Sequence, residues 1–208
     1  MEFAGFPVAA LDFYDDLEVD NTKSFWEAHK SVYTDAVKAP MAALCAGLAP
    51  EFGEAKLFRP YRDVRFAKDK TPYKTHQGAY VPTGPATGWY VQISARGVIT
   101  GGGFYDADAE RLGWFRSAVD DDRTGPELEK LLARLAKQGW EIGGERLKTS
   151  PRGYAADHPR IELLRHKSLT LTRSYGFEPV IHTPELADAV RRDWRSLRPF
   201  LDWVGRHG

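Results

Sequence analysis

The sequence predicts an α+β fold, with a central antiparallel or mixed β-sheet flanked by N- and C-terminal helices in one domain spanning residues 1–208. Three observations predict it. Apolar residues recur at helical spacing near both ends of the chain. The middle holds short runs rich in β-branched and aromatic residues. The elements do not alternate strand and helix regularly, which sets aside a doubly wound parallel sheet.

Taken in order, Leu11, Tyr14 and Leu17 predict a short first helix. Asp20-Asn21 then reads as a break and an N-cap. Phe25, Trp26, His29, Val32, Tyr33, Ala36 and Val37 form the apolar stripe of a second helix. Pro40 is expected to end it and open another, carrying Met41, Leu44 and Leu48, because proline fits a first helical turn and not an interior. Gly78–Val81, Trp89–Ser94 and Val98–Tyr105 read as strands, the last two joined into a hairpin by Ala95-Arg96-Gly97. The Pro- and Gly-containing stretch Val81–Gly88 reads as a loop. Asp106 or Asp108 caps a helix with Leu112, Phe115 and Val119. Thr124 and Glu127 resemble a capping box before Leu128, Leu131, Leu132 and Leu135. Short strands are expected near Trp140–Ile142 and Arg146–Lys148. Asp157 is expected to cap a helix entering Ile161–Leu164, and Leu169, Leu171 and Arg173 alternate on a strand. Thr183-Pro184 starts a final helix with Leu186, Val190, Trp194 and Leu197.

Composition narrows the functional classes. Hydrophobic residues make up 42% of the 208, enough for a sizeable core. Basic and acidic residues number 29 each, so no general nucleic-acid coat or membrane-surface protein is indicated. The single cysteine, Cys45, excludes an internal disulfide and points to a reducing compartment. With no basic, apolar leader at the N-terminus and no long apolar run, a cytoplasmic protein without a membrane partner is expected. The six His form no ligand-spaced pair and one Cys rules out the usual zinc sets, so no metal is expected. Gly101-Gly102-Gly103 lacks the spacing of a dinucleotide or P-loop fingerprint, so no cofactor is expected either.

The neutral total hides uneven segments. Residues 1–20 hold six acids and no base, and residues 105–129 hold eight acids and three bases. Residues 56–76 hold seven bases and two acids. Within that basic segment, alternation over Arg62–Phe66 would put Arg62, Val64 and Phe66 on one face, and Lys68-Asp69-Lys70-Thr71-Pro72 is turn chemistry. Arg65, Lys68, Lys70 and Lys74 are candidates to converge on one anion, with guanidinium forks and mobile ammonium groups suited to phosphate or carboxylate. The competing reading is a solvated surface loop whose charges pair among themselves.

The string Arg62-Asp63-Val64-Arg65-Phe66-Ala67-Lys68-Asp69-Lys70-Thr71-Pro72-Tyr73-Lys74 resembles the signature of the uncharacterised family called domain of unknown function 2461. Asn21–Trp26, Gly101–Tyr105, and Lys148–Pro159 followed by Leu163–Lys167 are similar to further parts of that family's pattern. The resemblance implies membership over nearly the whole chain and carries no activity or catalytic residue with it.

Three functional readings follow. In the first, a small phosphorylated or carboxylated ligand is clamped by Arg62, Arg65, Lys68, Lys70 and Lys74. Asp63 and Tyr73 orient the clamp or handle protons, and Arg152 and His158 complete the pocket. In the second, the same segment contacts nucleic-acid phosphates or an acidic protein surface without catalysis. In the third, its bases form a structural ion network with acidic partners.

Overall fold

The structure, a computed structural model, describes residues 2–65 and 68–208. Helix α1 (Val8–Val19) buries Leu11, Phe13, Tyr14 and Leu17. Helix α2 (Lys23–Val32) is capped by Thr22, whose hydroxyl accepts the N–H of Phe25 at 3.2 Å. The cap therefore falls one residue after the expected Asp20-Asn21, because the Asn21 amide is engaged elsewhere.

No break occurs at Pro40. Helix α2 continues through a π-helical segment (Tyr33–Lys38) into α3 (Ala39–Phe52). The N–H of Ala39 reaches back five residues to the carbonyl of Thr34. A proline lacks the N–H for the regular ladder and crowds the carbonyl one turn earlier. The wider π turn just ahead of Pro40 relieves that crowding without ending the helix.

The strands form one six-stranded antiparallel sheet in the order β1-β2-β3-β4-β6-β5. They are β1 (Lys56–Leu57), β2 (His76–Gly84), β3 (Thr87–Ser94), β4 (Gly97–Phe104), β5 (Glu141–Gly143) and β6 (Leu169–Gly176). The predicted β3–β4 hairpin is present. The stretch read as a loop is mostly strand, closed by a turn at Pro85-Ala86 in which Ala86 takes φ 56°. Pro82 lies beyond the two residues of β2, Ala79 and Tyr80, that pair with β1, and a strand accepts proline at an open edge. Gly101–Gly103 lie inside β4 and form no phosphate-binding turn. A Cβ at Gly101 would sit 2.3 Å from the carbonyl oxygen of Leu171, and one at Gly103 2.4 Å from that of Leu169, so only glycine fits.

The chain divides into two compact units whose boundaries cut across strands β2, β3, β4 and β6. The first comprises Met1–Val81, Tyr90–Thr100 and Ser174–Arg192. Its core gathers Phe6, Leu17, Trp26, Val37, Leu44, Val91, Ile93, Ile181 and Leu186, all essentially inaccessible to solvent. Cys45 is buried there, and burial pushes its thiol up to about 12, so it is a core residue and not a nucleophile.

The second unit comprises Pro82–Trp89, Gly101–Arg173 and Asp193–Gly208. Helix α4 (Ala109–Asp120) is capped by Asp108, whose carboxylate accepts the N–H of Arg111 at 2.9 Å. Helix α5 (Thr124–Lys137) does not use the expected capping box. Asp121 accepts the N–H groups of Arg123 and Thr124 instead, while the Thr124 hydroxyl donates to the Ala118 carbonyl. The expected strand at Arg146–Lys148 reduces to one bridge between Arg146 and His166. Short helix α6 (Ile161–Leu164) has no cap from Asp157: His158 Nδ1 accepts the N–H of Arg160 at 3.0 Å. Leu169 and Leu171 of β6 are buried as predicted, with Phe104, Phe115, Trp194 and Phe200 in the same core. The long C-terminal helix α7 (Glu185–His207) contributes Leu186 and Val190 to the first unit and Trp194 and Leu197 to the second.

Candidate functional site: an aromatic cleft with a cationic rim

In the first unit, the segment between β1 and β2 leaves the sheet and returns. Its stem is closed by an antiparallel bridge between Tyr61 and Tyr73, with Arg62 N–H donating to Pro72 and Lys74 N–H to Pro60, each at 2.8 Å. Arg62–Val64 are not strand, which corrects the alternation read there; Phe66 lies outside the described residues. This stem leaves the N–H and C=O of Tyr73 directed away from Tyr61. Asn21 satisfies both: its Oδ1 accepts the Tyr73 N–H at 3.0 Å and its Nδ2 donates to the Tyr73 carbonyl at 3.1 Å. A side-chain amide thus stands in for a neighbouring strand, which is why Asn21 is not a cap.

Within the loop, most of the expected clamp is spent on local partners. Arg65 grips Asp63 with two hydrogen bonds, from Nε to Oδ1 at 2.9 Å and from Nη2 to Oδ2 at 2.6 Å. Arg62 donates to Asp69 and Thr71, and Lys70 donates to the Val64 carbonyl at 2.9 Å. Bonds from the Thr71 backbone and hydroxyl, then from Arg62, hold the Asp69 carboxyl down at about 2. The ion-network reading describes Arg62 and Arg65. Lys68 is exposed. Tyr73 is buried, and its ring stacks on Trp26 at 4.3 Å with an 8° interplanar angle.

Lys74 behaves differently. Its ammonium sits 5.4 Å from the centre of the Phe58 ring, and burial followed by Arg59 lowers its pKa. His76, the next basic group along the chain, is lowered by burial, then by Lys74 and Arg62. Together they make a basic patch in which burial leads each shift and neighbouring cations add to it.

That patch borders a cleft of about 340 Å³ between the α2–π–α3 helix and the Leu57–Tyr61 segment. Trp26, Tyr33 and Gln77 are its buried part. Lys30, Lys38 and Arg59 line it from exposed positions, and no carboxylate pairs with them among the described residues. The helix places these groups in register: Trp26, Lys30 and Tyr33 follow at the i, i+4, i+7 spacing of one α-helical face, and Thr34 and Lys38 continue that wall through the π segment. At the floor, the Tyr33 hydroxyl donates to Gln77 Oε1 at 2.6 Å. Gln77 Nε2 donates to the carbonyls of Phe58 (2.9 Å) and Gly78 (2.8 Å). Burial, and then Tyr61, push the Tyr33 phenol up to about 12, so it remains a neutral donor across the physiological range. Trp26, only 1% exposed, has no partner for its Nε1–H among the described residues.

A larger depression of about 630 Å³ lies in the second unit, along α5 and α7. It is more open, and charges of both signs line it, with Arg206 and Glu127 paired at 3.8 Å. The smaller cleft is the candidate site because, among the described residues, no carboxylate forms an ion pair with Lys30, Lys38 or Arg59 and the indole N–H of its lining residue Trp26 has no partner. Of the remaining predicted site residues, Arg152 is exposed and belongs to the second unit with His158. Both ring nitrogens of His158 are occupied: Nδ1 accepts from Arg160, which makes Nε2 the donor to Asp120 at 2.8 Å. His158 thus ties α4 to the approach of α6 and has no free nitrogen to act as a base.

Sequence reasoning missed Trp26, Lys30, Tyr33, Lys38, Arg59 and Gln77 as a set. Trp26 and Tyr33 read as core. The available signal was the pair of lysines set at helical spacing along an otherwise apolar, aromatic stripe.

Fold and cleft together define an α+β protein with a basic, aromatic-walled recess beside its sheet. The chain belongs to the family described as Conserved hypothetical protein (DUF2461), which it matches over residues 9–203. No curated protein matches it, and no solved structure matches it.

Proposed function

We propose that this protein binds a small phosphorylated or carboxylated molecule in the Trp26–Gln77 cleft. Lys30, Lys38 and Arg59 surround the anion and Lys74 adds to the field. The observation that carries the reading is three exposed cations around one recess with no carboxylate forming an ion pair with them among the described residues. Like charges held together in the free protein repel, and an anion relieves that repulsion. The loop bases Arg62, Arg65 and Lys70, already bonded within the loop, support its shape and do not hold the ligand.

The test is titration of inorganic phosphate and of benzoate into the protein, followed by backbone and indole NMR shifts. Arg59→Gln and Lys30→Met are expected to weaken binding by about 1.5–3 kcal/mol per lost charged hydrogen bond, and Arg65→Gln to leave it unchanged. Binding of a single-stranded oligonucleotide that depends on Arg65, Lys68 and Lys70 and ignores Arg59 and Lys30 would overturn the proposal in favour of a nucleic-acid surface. Absence of any saturable shift at Trp26 would remove it altogether.

A further inference from the structure

The cleft has a polar floor as well as a charged rim, and the floor is selective. Its hydrogen-bonding groups can be followed one by one. Both N–H groups of the Gln77 amide are used by the carbonyls of Phe58 and Gly78. The Tyr33 proton goes to Gln77 Oε1. The donor left over is the Trp26 Nε1–H, buried and without a partner among the described residues. Tyr33 Oη and Gln77 Oε1 each keep a lone pair. A donor left unsatisfied in a buried place is costly, and a ligand that supplies the acceptor removes that cost.

The acceptor it calls for is neutral. The cations stand at the exposed end, so a second charge at the floor would be desolvated without compensation. The walls call for a flat body. Trp26 is covered on one side by Tyr73, while Tyr61, 5.9 Å from Trp26, is 47% exposed. A half-exposed aromatic beside a cleft is a stacking platform.

We infer that the cleft selects an aryl or heteroaryl anion with its charged group among Lys30, Lys38 and Arg59 and a neutral acceptor at its other end on Trp26 Nε1. This deepens the proposed function and rests on the same cleft.

A matched pair of probes tests it. 4-Acetylbenzoate carries a carbonyl opposite its carboxylate; 4-isopropenylbenzoate has the same shape with a CH₂ in place of that oxygen. Calorimetric titration is expected to show the acetyl compound binding about two- to tenfold more tightly, the range for one net hydrogen bond. Trp26→Phe is expected to abolish the preference while retaining dependence on Arg59. An ¹⁵N–¹H spectrum of the unaltered protein gives a second readout free of folding effects: the Trp26 indole proton moves downfield with the acetyl compound and not with its isostere. Equal affinity for the two probes, both lost in Arg59→Gln, would overturn the inference while leaving the anion cleft standing. No binding of either probe, together with no binding of inorganic phosphate, would overturn both.

Discussion

Replacing Asn21 by Ala removes two hydrogen bonds at once, to the N–H and the carbonyl of Tyr73, and leaves both groups in a partly buried place. A bond whose partner is re-solvated costs about 0.5–1.5 kcal/mol, and a buried group left unsatisfied about 1–3 kcal/mol. Water reaches one face of this contact, so a loss of about 2–4 kcal/mol is expected for the pair. For a chain of this size each kcal/mol lowers the melting temperature by roughly 2–4 °C, giving a fall on the order of 10 °C. The effect also reaches the cleft, because Tyr73 holds the inner face of Trp26 by stacking. Urea unfolding monitored by circular dichroism measures the loss as a lower midpoint at unchanged slope. Asn21→Asp retains the acceptor for the Tyr73 N–H but sets a carboxylate against the Tyr73 carbonyl, and should recover less than half the loss. A change within about 0.5 kcal/mol for Asn21→Ala, the range of an ordinary surface substitution, would refute the claim that this amide replaces a missing strand.

Two further outcomes follow. His76 should titrate below its ordinary value of 6.5, because burial and then Lys74 and Arg62 disfavour its charged form. The unfolded chain takes up that proton first, so the stability tied to His76 is complete above pH 6.5 and is lost as pH falls from there through the lower folded value; an NMR titration gives the pKa, and phosphate in the cleft should raise it. Arg160 donates from Nε to the Val119 carbonyl and from Nη2 to the Asp120 carbonyl, at 2.7 and 2.6 Å, closing the C-terminal end of α4. Arg160→Met should cost about 2–4 kcal/mol, and Arg160→Lys most of that, since an ammonium keeps the charge but not the fork; recovery of full stability by Lys in thermal unfolding would show that charge alone matters.

The parts of the fold legible in the sequence are those set by periodicity. The amphipathic stripes of α1, α5 and α7, the alternation of β3 and β6, and the short β3–β4 connection all appear in place. What the sequence hid was which polar side chain serves which backbone group. Asn21, Thr124 and Asp157 each have the right residue type for a cap, but Thr22 and Asp121 take the first two roles, and the short α6 has no side-chain cap, His158 accepting only the N–H of Arg160 ahead of it. Cap chemistry is interchangeable over one or two positions, and tertiary demands such as the open edge of Tyr73 decide among the candidates. Pro40 misled for a related reason, since the π turn that absorbs it leaves no mark in residue spacing.

The basic segment shows the same limit on a functional scale. Its charge excess was plain, but charge in a sequence does not say which groups are already paired. In the loop the acids lie two to seven residues from their bases, close enough for the turn itself to bring Arg65 to Asp63 and Arg62 to Asp69. Those pairs are exposed and contribute little to stability; their effect is to fix the loop's shape and withdraw its charge from any ligand. Arg59 and Lys74 flank the loop's stem, where no acid is adjacent in sequence, and Lys30 and Lys38 arrive from a helix whose described cleft-lining residues include no carboxylate. Uncompensated charge therefore collects where two segments meet. That makes the outcome of Arg59→Gln and Arg65→Gln side by side the sharpest reading of this molecule. Both remove one guanidinium from the same basic run, yet only the first should alter anion affinity, because Arg65 is already bonded to Asp63 while Arg59 lines the cleft and forms no ion pair among the described residues.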